Sequence, residues 1–587
     1  MKKMLRKYGL RLLLVISILA IGTGVAIAQG LPARLLQNGS TYYVATTGDD
    51  SNLGTESQPW RTIQKAANTL VAGDTVYIRA GTYNEQVVPQ NSGTSVAWIT
   101  YSAYPGETVT IDGAGLTLGG REGLFQVYRQ NYIQVLGLRV INAYGGGSTT
   151  GIRAEYASHV IIKGNYTYGT ESSGIGIWYS DNIIVDGNEI EFANNGGYNE
   201  NLSISRSDQV EVMNNIVHHG FNCPNGGEGI NVKDGASNVK VHHNLAHHLD
   251  KLCFGLDAWQ NHTFNISYYQ NVAHDCYHGF IVSSERTGLA ESIWVYNNIA
   301  YNNRFNGLTV VQWGGEPDGP KRDVYFINNT SYNNGYGFRV NALNNENVVV
   351  RNNILVSNGT NITIASGAQA ETTVDHNLFY DGNSGGDNAV IGDPLFVNPS
   401  GADFHLQEGS PAIDAGSSLD APDNDHDGSP RPQGAGYDIG AYEFQSGQPV
   451  PTYTPTNTPI IPTSTPVSQY DYEFNAAFKK KATPTPTATP TNTPTPTPLP
   501  TYSIGGNVYD VDGGGLTGIL VELHASADCS GAVSQTMLSD SQGNYGFYDV
   551  SAGTYCLAFE VPEGYDPVIG NGSDIDADGH IKNVVIG

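Results

Sequence analysis

The sequence is poor in charge, and poorest in positive charge: Asp, Glu, Lys and Arg make up 14% of 587 residues, and 29 Lys and Arg face 56 Asp and Glu for a formal net charge of -27. Such a balance argues against nucleic acid or an acidic lipid surface as partner, and predicts that an acidic polysaccharide would need a bridging cation. Cysteine is scarce at five residues, too few for a disulfide-built scaffold. Helical periodicity is nearly absent. Its one short instance follows Pro59, in WRTIQKAANTL, which is apolar at Trp60, Ile63, Ala67 and Leu70. The one long apolar run is LLLVISILAIG near the N-terminus. Preceded by Lys2, Lys3, Arg6, Lys7 and Arg11 and followed by Ala26-Ile27-Ala28, it reads as a secretory signal over residues 1–28 and not as a membrane span. Its removal takes five basic residues and no acids, moving the charge from -27 to -32. A secreted, extracellular or cell-surface chain with no membrane span is expected, acting as a monomer.

Glycine and proline are abundant, at 71 and 28 residues, which suits a long all-β architecture punctuated by turns. Between residues 151 and 380 one pattern recurs nine times: an apolar-x-apolar triplet, polar residues, then Asn. HVIIKGN, NIIVDGN, QVEVMNN, NVKVHHN, NISYYQN, SIWVYNN, DVYFINN, NVVVRNN and TTVDHN end at Asn165, Asn188, Asn215, Asn244, Asn271, Asn298, Asn329, Asn353 and Asn377. Spacings of 23 to 31 residues with two-residue alternation fit one turn of a parallel coil. Asn tolerates left-handed backbone conformations, and coils stacked about 4.8 Å apart would let equivalent Asn amides bond in a continuous ladder. These features resemble the pectate-lyase-like right-handed parallel β-helix superfamily over roughly residues 41–390. The resemblance implies a solenoid and, in many members, action on polysaccharides; fold alone fixes no reaction.

The resulting division is a β-helix with an N-terminal helix cap over 29–384, a C-terminal capping segment over 385–446, a Pro/Thr-rich linker over 447–501 and an antiparallel β-sandwich over 502–587. The stretch SDSQGNYGFYDVSAGTYCLAFEVPEGY resembles carboxypeptidase-regulatory-like and bacterial surface-protein B-type sandwiches. Cys529 and Cys556 fall within that unit and are expected to pair. Cys223 and Cys253 follow their ladder Asn by eight and nine residues, so a bridge between them, leaving Cys276 free, is one expectation. Asp423, Asp425 and Asp427, and again Asp574, Asp576 and Asp578, have the alternating spacing of calcium loops; a polar turn is the other reading of the first. Counting inward, outward, inward after each ladder Asn puts His218, His247, His274, Tyr301, Tyr332 and Tyr380 at one interior position. Packing of like shapes is preferred there over a metal site.

Aligning the coils on their first strand gives GIRAE, GIGIW, NLSIS, GINVK, CFGLD, GFIVS, GLTVV and GFRVN, whose third and fifth residues face outward. The fifth position runs Glu155, Trp178, Ser205, Lys233, Asp257, Ser283, Val311, Asn341. Lys233 beside Asp257, with Arg206 and Asp234, marks a candidate centre; Trp178, Asn231, Trp259, His278, Glu285 and Arg286 are candidate substrate contacts. The expected chemistry is β-elimination on a uronic acid polymer, with Lys233 as base and Ca2+ or Arg206 neutralising the enolate-like charge. Asp257 would hold Lys233 protonated unless calcium on Asp257 and Asp234, or Arg206, offset it. The tight Asp cluster of β-helix pectate lyases is not reproduced. Asp257 with His278-Gly279 loosely resembles polygalacturonases, which makes an inverting hydrolase an alternative; uronate epimerisation and a non-catalytic carbohydrate-binding or structural surface protein are the others.

Overall fold

Alternating apolar residues in each repeat build strands that stack in register, and the computed structural model shows the resulting solenoid. It describes residues 39–196, 198–220, 226–313 and 318–445, then 470–480, 501–510, 519–526, 529, 533–539, 544–551, 553–559, 565–567 and 580–586. The signal segment, Cys223, both Pro/Thr runs and Asp574, Asp576 and Asp578 lie outside the described residues.

Three parallel sheets run the length of the coil. Sheet 1 has thirteen strands from Thr41–Val44 to Thr372–Asp375; sheet 2 has thirteen from Gly81–Tyr83 to Val390–Ile391; sheet 3 has ten from Gly123–Tyr128 to Thr360–Ile364. Each turn passes through sheets 3, 1 and 2 in that order, as in Ile175–Trp178, Asp181–Asp186 and Glu189–Glu191. Inward Val, Ile, Leu and Phe form one continuous core, from Val44 to Phe379. Helix Ile63–Thr69, capped by the Thr62 side chain on Lys65 N, adds Ile63, Ala66 and Ala67 to its first turns.

The Asn residues do form the ladder. From Asn165 to Asn377 each backbone N–H donates to Oδ1 of the next Asn at 2.9–3.0 Å, and each Nδ2 donates to the same oxygen at 2.9–3.1 Å. The ladder lies inside the coil, with Asn215, Asn271 and Asn353 fully buried. Its burial sets the phase of the adjoining strand of sheet 2. Because the Asn points inward, the next three residues run outward, inward, outward: Val217, Ala246 and Ala273 are buried, while His218, His247, His274, Tyr301 and Tyr332 line the outer face of sheet 2. The interior placement expected for this file is therefore corrected. A second ladder, unread in the sequence, joins Asn303, Asn334, Asn358 and Asn361 between sheets 2 and 3.

The capping segment covers part of sheet 2. Phe396, Phe404, Leu406, Ile439 and Tyr442 pack with Ile299, Ile354 and Leu378, and against Tyr301 and Tyr332. Arg431 and Glu443 form a fully buried ion pair at 2.7 Å beneath it. The Asp423–Asp427 loop is a polar turn: Asp425 accepts N–H bonds from Asp427, Ser429 and Glu443, and Asp427 pairs with His405. Cys253 bonds Cys276, not Cys223. Coil turns of unequal length bring residues 23 apart within 5.9 Å between Cα atoms, which the count from the ladder Asn did not register.

The chain divides near residue 453. The second unit is a sandwich of two four-stranded sheets, one centred on Thr501–Asp510 and the other on Leu520–His524 and Gly553–Phe559. Val508, Val521, Leu523, Phe547 and Leu557 are buried in it, and Cys529 bonds Cys556. Residues Tyr470–Lys480, between the two Pro/Thr runs, form a strand parallel to Thr501–Asp510. Among the described residues no helix is long and apolar enough to cross a membrane.

Candidate functional site

Register on sheet 3 decides which side chains meet. Glu155, Trp178, Ser205, Lys233, Asp257, Ser283 and Val311 occupy one file, one per rung, and Arg153, Gly176, Ser203, Asn231 and Gly255 another. Ile177, Ile204, Val232 and Leu256 between the files point into the core, so both files face outward. Gly176 leaves room for the Trp178 indole, which lies across it and donates Nε1–H to Ser203 Oγ at 3.1 Å.

Over these files lies a cleft of about 280 Å³. Four cations line it, Arg121, Arg153, Arg206 and Lys233, against two acids, Glu155 and Asp234; Trp178, Tyr179 and Trp259 supply rings. Cations and rings alternate. Arg153 lies 4.4 Å from the Trp178 ring, Arg206 5.4 Å from Tyr179, and Lys233 and Arg286 lie 5.5 and 4.5 Å from Trp259. Tyr179 continues the stack to Tyr156 at 4.9 Å. Three of the four cations are paired with carboxylates, Arg153 with Glu155 at 2.8 Å, Arg206 with Asp234 at 2.7 Å and Lys233 with Glu200 at 2.7 Å.

At its floor Lys233 Nζ donates to Glu200 Oε1 at 2.7 Å, and Glu200 Oε2 accepts from Ser203 Oγ at 2.5 Å. Asp257 is the neighbour of Lys233 on the next rung, with Oδ1 accepting the N–H groups of Trp259 and Glu285 at 3.0 Å. Burial works against the Lys233 charge, but Glu200, Asp257 and Glu228 outweigh it and hold the ammonium above the usual lysine range. The same carboxylates that fix Lys233 in place favour its protonated form. Burial, then proximity to Glu200, pushes the Glu228 carboxyl up to about 7 against the opposing pull of Lys233, and burial raises Asp257 too.

The carboxylates expected to hold calcium are largely engaged by protein groups. Asp234 Oδ2 is paired with Arg206 at 2.7 Å, and its Oδ1 accepts from Asn261 Nδ2 and Gln260 N. Asp257 Oδ1 accepts two N–H bonds as well, so three of the four carboxylate oxygens of Asp234 and Asp257 already have protein partners. The same pairing keeps Arg206 from relieving Lys233.

Lys233, Asp257, Arg206, Asp234, Trp178 and Trp259 come together, with Arg286 on the Trp259 ring and Glu285 bound through its backbone. Asn231 is buried beside them, in register with Gly255 on the next rung. His278 is elsewhere: it is buried against Trp313 and Phe305, bonds Asn306 Nδ2 at 3.0 Å, and is pushed down to about 4 by burial and then by Arg339. Glu200, Glu228, Arg153 and Tyr179 were not among the expected site residues. Glu200 sits in a turn of variable length, and nothing in strand alternation reports on it.

The family described as "Pel9A-like, right handed beta helix region" matches residues 42–353, and the SdrD B-like domain matches residues 505–585. The uncharacterized protein YwoF of Bacillus subtilis is 25% identical over 444 residues, covering 64% of this chain and 92% of that protein. Pectate lyase PEL9 of Emericella nidulans is 29% identical over 156 residues, covering 24% of this chain and 37% of that enzyme. Among solved structures, pectate lyase Pel9A is similar at 15% identity and a TM-score of 0.46, over 70% of this chain and 97% of that one. With more than half its length matched by one family, the chain belongs to the Pel9A-like right-handed β-helix proteins.

Proposed function

We propose that the chain acts on a uronic-acid-containing polysaccharide by β-elimination in the cleft on sheet 3. The observation that carries this reading is the set Arg121, Arg153, Arg206 and Lys233, interleaved with Trp178, Tyr179 and Trp259, on a protein whose formal charge is -27. A groove that presents guanidinium and ammonium donors beside aromatic rings offers partners for carboxylates and flat faces for sugar rings, which suits a polyuronate. That a relative is named a pectate lyase supports the same substrate class.

In elimination a base takes the proton beside the uronate carboxylate. The freed pair forms a carbon–carbon double bond, and the glycosidic oxygen leaves and picks up a proton. Negative charge builds on the carboxylate as the proton departs, so fixed cations lower the barrier most there. Lys233 and Arg206 supply that role, in place of the base role expected of Lys233. The proton acceptor is proposed among the carboxylates around Lys233, Glu228 being the one whose proton affinity burial and the neighbouring Glu200 raise. The protein is proposed to be exported, with the SdrD B-like unit as an accessory.

The test is to incubate the purified full chain with pectate, alginate and glycosaminoglycans and follow ultraviolet absorbance of unsaturated ends, with and without chelator. Chelator-insensitive absorbance, lost in Glu228→Gln and Lys233→Met, is the expected result. Reducing ends without absorbance would establish hydrolysis instead, and retention on immobilised polyuronate with neither would leave a binding protein.

A further inference from the structure

Away from the cleft, sheet 2 carries a second concentration of chemistry. Its outward file reads Glu191, His218, His247 and His274 on four consecutive rungs, with imidazole planes parallel within 2° and centroids 5.0–5.1 Å apart. The turn residue after each belongs to a parallel file, in which His219, His248 and Asp275 share the left-handed conformation at φ 52–55°. Two rows of donors therefore run side by side, repeated by the coil. Stacking of like shapes accounts for one row in register; it does not account for what the rows do to each other.

Across the rows, donor atoms converge in pairs. His218 Nδ1 lies 2.5 Å from His219 Nδ1, and His274 Nδ1 lies 2.6 Å from Asp275 Oδ2. In two places the convergence extends to a third residue from a neighbouring rung: one ligand atom each of Glu191, His218 and His219 lie within 4.8 Å of one another, and so do those of His248, His274 and Asp275. Four ligands about 2.1 Å from a tetrahedral ion stand roughly 3.4 Å apart, so small side-chain rotations would seat an ion at either set. Two imidazoles with one carboxylate, and a remaining position for water, form a donor set suited to borderline transition ions and too nitrogen-rich for calcium or magnesium.

We infer that this outer face of sheet 2 binds divalent transition metal of the Zn2+, Ni2+ or Cu2+ class at two sites, Glu191–His218–His219 and His248–His274–Asp275. Each site joins two successive rungs, so a bound ion adds a cross-link between neighbouring strands and stabilises the folded coil by mass action. The sites lie on a different sheet from the cleft, so their loss leaves the elimination chemistry untouched.

The experiment uses the full chain freed of metal with chelator. Zn2+ is titrated calorimetrically with Ca2+ and Mg2+ as controls, and Co2+ is added to report ligand geometry through its visible absorption. Two equivalents of Zn2+ are expected, with none of either control ion at this face and a rise in Tm on zinc addition. Glu191→Gln with His219→Gln removes one equivalent, and His248→Gln with Asp275→Asn removes the other. Co2+ spectra of the unmutated chain need no variant: intensified bands support imidazole ligation, whereas the spectrum of the aqua ion overturns the assignment. Zinc binding absent in the unmutated chain, or unchanged in both folded variants, overturns it as well.

Discussion

Lys233 and Glu200 stand 33 residues apart in sequence and 2.7 Å apart in the fold, the ammonium partly open to the cleft and the carboxylate almost wholly buried beneath it. The pair ties a strand of sheet 3 to the turn that enters the preceding rung. Its consequence for function is that Lys233 stays protonated at the cleft floor, where Glu200, Asp257 and Glu228 favour its charge.

Removing that charge exposes its partners. Lys233→Met leaves Glu200, Glu228 and Asp257 without their common cation, and a broken buried pair costs about 3–5 kcal/mol. Denaturant unfolding of Lys233→Met is expected to show a loss of this order, with much of it recovered in the Lys233→Met, Glu200→Gln double variant. An unfolding midpoint equal to that of the parent would refute the buried-pair description.

Glu228 couples stability to pH. Its carboxyl titrates from 4.5 in the unfolded reference to about 7 in the fold, so the protonated form is the one the fold favours. Its contribution is full below pH 4.5 and is lost as pH rises through 7, on the order of 3 kcal/mol from a shift of this size. Glu228→Gln is expected to flatten that slope and to unfold later than the parent at pH 8. Activity runs the other way, rising as pH passes 7 and the base loses its proton. Stability profiles of parent and variant that superimpose from pH 4 to 8 would refute the assignment.

Much of this is legible in the sequence because a solenoid repeats its physics. Nine Asn at coil spacing announce the ladder, and alternation within GINVK and CFGLD puts Lys233 and Asp257 on one outward file. The His218 file reads in the opposite phase when the ladder Asn is treated as part of the turn; a buried Asn shifts everything after it by one. Glu200 and the Cys253–Cys276 bridge depend on turns whose lengths differ from coil to coil, and periodic reasoning has no hold on those. The second ladder is present as paired Asn at 302–303 and 333–334, hidden beside a stronger signal.

Within the first ladder, Asn271 is fully buried; its Oδ1 accepts from Asn244 N and Nδ2, and its Nδ2 donates to Val241 O and Asn298 Oδ1. Asn271→Ala removes the acceptor of the buried Asn244 N–H and one bond each from Asn244 Nδ2, Val241 O and Asn298 Oδ1, of which Asn244 Nδ2 keeps Val212 O and His242 O and Asn298 Oδ1 keeps the backbone N–H of residue 271. At about 1–3 kcal/mol per buried group left unpaired, a loss of about 1–3 kcal/mol is expected by denaturant unfolding. A loss below about 1 kcal/mol, the low end of that range, would show that the ladder follows the coil without stabilising it.

The Cys253–Cys276 bridge closes a segment of 23 residues at the junction of sheets 2 and 3. Restricting the unfolded chain over a loop of that length stabilises by about 3 kcal/mol in the chain-entropy account. Cys253→Ser with Cys276→Ser is expected to lower Tm without abolishing folding, since the ladders and core on either side remain. Thiol titration of the denatured parent under non-reducing conditions checks the pairing: only Cys223 should react.

Charge in the cleft predicts how substrate affinity responds to salt. Arg206 is more than a third exposed, bonds Asp234 and the Tyr179 hydroxyl, and lines the cleft beside Lys233. Arg206→Gln removes one cation while leaving the Tyr179 ring in its stack with Tyr156. Affinity for polyuronate, measured by retention or calorimetry at low salt, is expected to fall about tenfold, corresponding to about 1.4 kcal/mol. The deficit should shrink as ionic strength rises, because salt screens an exposed charge that the parent keeps and the variant lacks. Neutral polysaccharide should bind both proteins alike, since the rings remain. A deficit that is equal for neutral and acidic polymers would mean that Arg206 shapes the groove and does not read the charge of its occupant.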